Sequence, residues 1–277
     1  MISKKSILTF FSVNGTLLTI SSIKYFVLHY IQDYNIFLKF FLMFFTYIIR
    51  NYIMMFLLYL ATNHKENTSI ENLKNNSSYQ ISSHLYLFST TLLEVITNLF
   101  IYNYLIDNEL TDMQNIINSL LYFIPISFLF EIILDFFHYW THRILHINKQ
   151  FYKTIHKTHH KHANPVLINA YYFSPLDIII TINIPTILAI SMLPYNLSLF
   201  QYTMMTVYKH YGEIAGHSGK KLSPSSSLPQ CVWLPRLLNI ELYAEDHDAH
   251  HKFNNCNYAK RFSLWDKLFG TYKKHNF

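Results

Sequence analysis

The sequence predicts an all-α integral membrane protein: a helical bundle of about four spans, plus a hairpin whose depth is left open, under a cytosolic histidine-rich helical cap. Three observations point there. Apolar residues make up 51% of the 277 residues and charged residues only 14%, where a soluble domain carries about 25%. Apolar runs of roughly 20 residues, the length a bilayer crossing needs, fill the N-terminal half. Histidines gather in the second half, in spaced pairs and triplets. Residues 1–137 therefore read as transmembrane helices, and 138–277 as a histidine-rich region with a membrane hairpin at about 176–211.

In chain order, the first run extends from Ile7 to Ile31, interrupted by Asn14 and Lys24. It lacks the short apolar core and small-residue cleavage site of a signal peptide and reads as a retained span. The second run, Ile36 to Ala61, carries Arg50 near its middle. A charge at that depth is costly, so Arg50 is expected to face the bundle interior or to snorkel. A polar loop, Thr62 to Ser83, contains sequon matches at Asn67, Asn75 and Asn76. Leu85 to Ile106 is the third span, with Glu94 inside it, followed by an acidic turn with Asp107, Glu109 and Asp112. Asn115 to Phe137 is the fourth, expected to kink at Pro125.

Basic residues set the orientation. Lys4, Lys5, Lys65, Lys74, Arg143, Lys149, Lys153, Lys157 and Lys161 fall on one side of a four-span arrangement. The opposite turns, Gln32 to Asn35 and Asp107 to Asp112, have no Lys or Arg. The histidine region is thus expected in the cytosol, with the sequons on the side where they are not glycosylated. Further on, Pro175, Pro185 and Pro194 break any straight helix, and Ile178 to Leu193 with Leu197 to Tyr211 form the expected hairpin. A Ser/Pro-rich excursion follows. The last segment sets Phe262, Leu264, Trp265, Leu268 and Phe269 among basic residues, suited to packing on the cap or lying at the interface. Its end, "KKHNF", has the wrong spacing for a dilysine retrieval signal.

The excess of 22 basic over 16 acidic residues lies between apolar spans and forms no DNA-reading motif, so an anionic membrane surface is the expected partner, not nucleic acid. Cys231 and Cys256 form no C-x-x-C pair, which fits a reduced compartment and a packing role.

The chemistry lies in "HYWTHRILHINKQFYKTIHKTHHKHANP" and "EDHDAHHKFNN". His142 and His146 lie one helical turn apart, as do the pairs within His156, His159, His160 and within His247, His250, His251. Imidazoles so spaced can close on a common ion, and imidazole suits iron, zinc, copper and nickel. Eight such residues exceed the four of a structural zinc site, so two metals are the economical reading. Within each triplet, the first and second histidines could serve one ion and the third its neighbour.

These boxes, with "DFFHYWTHRILH" and "YKTIHKTHHKHANP" around them, resemble those of the fatty acid hydroxylase superfamily, the membrane di-iron sterol desaturases and hydroxylases. The late segment "RLLNIELYAEDHDAHHKFNNCNYAKRFSLWDKLFGTY" is similar to the C-4 methylsterol monooxygenase and sterol desaturase branch. The resemblance runs from about Phe130 to Tyr272 and makes 138–277 the catalytic region. It implies metal-ligand roles for His142, His146, His156, His159, His160, His247, His250 and His251, and adds His217 in "GHSG". It also implies two iron ions, O2 as co-substrate, and oxidation of a lipid C–H bond, hydroxylation or desaturation, on a sterol first and on a fatty-acyl or alkylglycerol lipid otherwise. No G-x-G-x-x-G fingerprint is present, so electrons are expected from a partner; the resemblance implies cytochrome b5 and an NAD(P)H-dependent reductase, in an endoplasmic-reticulum-like membrane. A membrane protein that binds metal without turnover is the reading from a different class.

Around these residues, His138, one turn before His142, reads as a neighbour that could also extend the chelate, His162 as a supporting or surface residue, His210, two turns before His217, as a further ligand candidate, and Glu213 as a hydrogen-bond partner or carboxylate ligand one turn before His217. Asp135, Glu245, Asp246 and Asp248 fit an imidazole-orienting role. Tyr171, Tyr172 and Phe173 are candidates to line a lipid access route. Two departures from the family pattern stand out: Ser174-Pro175 replaces His-Pro, and Asp246 replaces a further His. Either implies altered substrate geometry, and both together weaker metal binding.

Overall fold

The computed structural model describes residues 4–63, 81–107, 113–162, 166–220 and 228–274. Among them, four helices are long and apolar enough to cross a membrane: Ile7–Tyr30, Ile36–Ala61, Ser82–Tyr104 and Phe123–Ile147. They belong to α1 (Lys4–Tyr30), α2 (Ile36–Asn63), α3 (Ile81–Tyr104) and α5 (Phe123–Ile147). Their outer faces carry exposed Phe11, Phe26, Phe37, Phe45 and Phe56. In water, apolar surface on that scale would associate; in a bilayer it meets lipid. The molecule is an all-α membrane bundle. The sequons and the loop lysines Lys65 and Lys74 lie outside the described residues.

The fourth span departs from expectation. A separate helix, α4 (Met113–Leu121), ends at Tyr122, and α5 then runs without interruption to Ile147. Pro125 lies in the first turn of α5, where a missing N–H leaves no intrahelical bond unmade, so it starts a helix and does not kink one. His142 and His146 therefore stand on the last turns of a membrane helix.

The interior is polar where the helices meet. Arg50 grips Glu94 of α3 with two bonds, Nη1–Oε1 at 2.9 Å and Nη2–Oε2 at 2.7 Å. It faces inward, one of the two outcomes expected for it. Asn51 donates to Thr91 at 2.9 Å, and Lys24 of α1 donates to Thr206 at 2.7 Å. Tyr47 and Tyr202 both meet Asn98. Such pairing is what makes polar side chains tolerable away from water.

The expected hairpin has two arms, α7 (Pro175–Ser191) and α8 (Leu199–Gly216), each a few residues displaced from the expected bounds. They diverge: α7 packs mainly on α5, and α8 mainly on α1. Ser198 caps α8 by accepting the Gln201 N–H at 3.2 Å. A two-residue parallel ladder pairs β1 (Ile106–Asp107) with β2 (Leu197–Ser198).

The remaining helices are short: α6 (Lys149–Phe151), continued by a π-turn over Tyr152–His156 and a short 3-10 helix at His159–Lys161, a second 3-10 helix at Leu167–Tyr171, then α9 (Trp233–Leu237), α10 (Ala244–Phe253) and α11 (Leu264–Leu268). α10 stops at Asn254, which adopts φ 61° while its N–H reaches the His250 carbonyl at 2.8 Å. The final aromatic segment packs inward on α5: Phe262 meets Phe128, and Trp265 meets Phe136 while donating to the Ile132 carbonyl at 3.2 Å.

Candidate metal centre

Four pieces of chain bring histidines to one end of the bundle: the end of α5, the π-turn with the short helix after it, the C-terminus of α8, and α10. The result is two groups. His142, His146, His156, His160 and His250 form one; His159, His217, His247 and His251 form the other. Within each, one nitrogen per ring lies within 4.8 Å of all the others. All nine residues singled out from the sequence are in these groups, and His138, His162 and His210 are in neither.

The triplets divide differently from the expectation. First and third histidines stay together, His156 with His160 and His247 with His251, while the middle ones, His159 and His250, cross to the other group. Residues i and i+4 stack on one face of a helix, which accounts for the pairing. In the second box the five-residue π-turn at Tyr152–His156 resets the phase before His159; such turns recur at functional sites.

Ring orientation shows what the groups suit. His142 Nδ1–H donates to the Tyr258 carbonyl at 2.7 Å, and His156 Nδ1–H to Asp177 Oδ2 at 2.8 Å. His250 Nδ1–H donates to the Cys256 carbonyl at 2.8 Å, and His217 Nδ1–H to the Glu213 carbonyl at 2.8 Å. In a neutral imidazole the other nitrogen, Nε2, then carries only a lone pair. Yet Nε2 of His142 and Nε2 of His156 face each other at 3.0 Å. Two lone pairs at that distance repel unless a cation lies between them. Nitrogens bound at about 2.1 Å and at right angles around one ion are about 3.0 Å apart. The other Nε2 separations fit the same scheme: His160 to His250 at 3.1 Å, His217 to His247 at 3.2 Å and His247 to His251 at 3.2 Å. The donor set fits a pair of imidazole-liganded metal ions.

Burial keeps the rings in the metal-binding form. His159, His160, His247, His250 and His251 are all held well below the ordinary histidine value, chiefly by burial and then by neighbouring histidines and Lys260. His217 is lowered to about 3 for the same first reason.

The supporting carboxylates are not all where the sequence suggested. Asp177, not foreseen, orients His156 and is itself bonded by the Thr181 hydroxyl at 3.3 Å. Its only local sign is position, three residues into a helix capped by Ser174. Asp135 orients no ring: it accepts the backbone N–H groups of Lys260, Arg261 and Phe262 at 2.7–3.0 Å. Asp266 accepts those of Tyr258 and Ala259, both at 2.8 Å. Two carboxylates thus hold the loop that presents the Tyr258 carbonyl to His142. Glu213 serves His217 through its main chain, while its side chain pairs with Arg261 at 2.9 Å and Lys260 at 3.7 Å. Asp246 caps α10 by accepting the Tyr243 N–H at 3.0 Å. Ser174, the other departure, caps α7 and donates to the Ile155 carbonyl at 2.7 Å. Phe173 stacks on His159 with centroids 4.0 Å apart, and His138 donates to the Thr181 carbonyl at 2.7 Å beside the first group.

With this geometry in hand, comparison with known proteins is decisive at the level of family. The family model for fatty acid hydroxylases matches residues 127–271, slightly more than half of the chain and every histidine of both groups. The chain belongs to the fatty acid hydroxylase family. Among the relatives of this family member are a fatty acid hydroxylase from Lecanicillium sp, 33% identical over 52% of this chain and 40% of that protein, and a methylsterol monooxygenase from Aspergillus fumigatus, 34% identical over 53% and 46%. Methylsterol monooxygenase 1 from Rattus norvegicus is 33% identical over 50% and 44%. The chain spans about half the length of the curated relatives it matches. No solved structure matches it. This hydroxylase-family chain has four helices long and apolar enough to make it a multi-pass membrane protein.

Proposed function

We propose that this protein is a membrane di-iron oxygenase that hydroxylates or desaturates a lipid C–H bond, with a sterol as the favoured substrate. The observation that carries the reading is the pair of imidazole groups whose Nε2 lone pairs converge at 3.0–3.3 Å. His142, His146, His156, His160 and His250 would hold one iron; His159, His217, His247 and His251 would hold the other. When bound, the two irons supply O2 activation and abstraction of hydrogen from an unactivated carbon, using two electrons.

The protein's own part is positional. The carbonyls of Tyr258, Cys256 and Glu213 and the carboxylate of Asp177 fix which nitrogen of His142, His250, His217 and His156 faces inward. Phe173 covers His159 and helps exclude water from the pocket. The two carboxylates beneath the 258–262 loop keep that loop from drifting off the metals. Electrons would come from a separate donor, cytochrome b5 with an NAD(P)H-dependent reductase by family resemblance, reaching a cap on the cytosolic side of an endoplasmic-reticulum-like membrane. Sterol chemistry is favoured by the methylsterol monooxygenases among the relatives and by the similarity of the late segment.

Lipid profiling of sterol-oxidase-deficient cells tests the proposal. Cells expressing the wild-type chain should lose an accumulated methylsterol and gain its oxidised product, while His159→Ala, His250→Ala cells should not. Identical sterol and fatty-acyl profiles in both, with both proteins present in the membrane, would refute turnover and leave a metal-binding membrane protein.

A further inference from the structure

Below the histidine groups the bundle encloses a cavity of about 60 Å³, room for several water molecules. Polar faces of three helices line it, which is unusual inside a membrane bundle. Its two carboxylates are already satisfied: Glu94 by Arg50 at 2.7 and 2.9 Å, and Glu213 by Arg261 at 2.9 Å. Its lysine is held more loosely. The Lys209 ammonium is ion-paired with Glu213 Oε1 at 3.9 Å, and among the described residues it makes no closer hydrogen bond. The Asn183 amide on α7 and the Thr97 hydroxyl on α3 are likewise without a side-chain hydrogen bond among the described residues.

Buried polar groups are almost always partnered. Three side chains with donor capacity to spare, on three different helices around one space, offer a place for a ligand oxygen. The ammonium weighs most in this argument, because an ion pair at 3.9 Å leaves it able to donate to a closer acceptor. A neighbouring cavity lies toward the candidate metal centre. Smaller than the first, it shares Ile182, Lys209 and Glu213 with it and reaches His138 and Lys260. The His138 ring lies 5.0 Å from that of His142.

We propose that this cavity binds the oxygen-bearing end of the lipid substrate, a hydroxyl or a carboxylate, with Lys209 and Asn183 donating to it and Thr97 completing its shell. The assignment rests on the lipid-oxidation reading and adds to it the group by which the lipid is recognised. A lipid without such an oxygen would gain nothing from Lys209.

The test is equilibrium binding to the full chain in nanodiscs, with a tritiated sterol in one arm and a tritiated long-chain fatty acid in the other. Oxygen-free counterparts, a steroid hydrocarbon and an n-alkane, serve as competitors. Lys209→Met should weaken binding of at least one oxygenated lipid about tenfold or more, the worth of a charged hydrogen bond. Metal content and displacement by the oxygen-free competitor should stay unchanged. The arm that responds identifies the oxygen as hydroxyl or carboxylate. Asn183→Leu should give a smaller loss in the same arm, and it carries the test if Lys209→Met does not accumulate. Unchanged affinity in both arms for a variant that keeps its metal would overturn the assignment. Lys209-dependent binding without any turnover would count against oxidation and leave the binding pocket standing.

Discussion

Lys260 Nζ lies 2.9 Å from Nε2 of His247, inside the four-histidine group, and 3.4 Å from Nδ1 of His217. An ammonium so placed repels a cation bound by the same rings. Among the described residues, the five-histidine group has no ammonium that close to its rings, and at least three of its rings are oriented by acceptors, where His217 is so oriented in the smaller group. The two sites should therefore fill unequally. Lys260→Met is expected to raise metal affinity at the four-histidine site at least tenfold, about 1.4 kcal/mol, and to leave the other site unchanged. Metal titration followed by calorimetry reads both steps. Burial lowers the Lys260 ammonium to about 8, so above that pH the wild type loses the repulsive charge and the difference from Lys260→Met should shrink. A single unchanged second step at all pH values would contradict this.

Asp177 fixes the His156 ring from behind at 2.8 Å. Replacing Asp177 by Asn removes the carboxylate while keeping the shape. Loss of such a partner costs about 10- to 100-fold in metal affinity. The loss should be confined to the five-histidine site, and metal analysis after dialysis against a graded chelator would show one ion leaving early.

The Arg50–Glu94 pair joins α2 to α3 within the bundle. Removing one partner strands the other charge, at a cost of about 3–5 kcal/mol. Arg50→Met or Glu94→Gln alone should lower the unfolding temperature in detergent clearly, and Arg50→Met with Glu94→Leu should recover much of it. Equal damage from the single and double replacements would show that packing, not the ion pair, is at stake.

Acid should loosen the metal-free cap. His159, His160, His247, His250 and His251 sit well below 6.5 when folded, whereas in the unfolded chain they titrate near 6.5. Between those values the unfolded state takes up protons that the folded state refuses, so stability falls as pH drops below about 6.5. The metal-free protein should melt progressively lower from pH 7 to pH 5. A flat profile would mean that the rings are not buried as described.

Much of this was legible in the sequence because it is written in local periodicity. Three spans match their apolar runs to within a few residues, and the nine clustered histidines are those that spacing and family resemblance single out. The rest depends on tertiary contacts that no local pattern encodes. Pro125 looks like a mid-span kink until Tyr122 is seen to end the preceding helix. The crossing of His159 and His250 between groups follows from how the second box and α10 face each other. Asp135 looks like a metal-site carboxylate, but it answers to the backbone of residues more than a hundred positions away. Asp177 shows the reverse: its place in the first turn of a helix capped by Ser174 marks a helix start, not a partner of His156.

The most direct measurement is iron per chain, with Mössbauer spectra, on protein purified anaerobically in detergent after loading with ferrous iron. Two irons per chain are predicted, falling to one in a His247→Ala, His251→Ala variant and to one in a His142→Ala, His250→Ala variant. One iron per chain in the wild type, or iron retained in full by both variants, would contradict a centre built from these two groups of imidazoles.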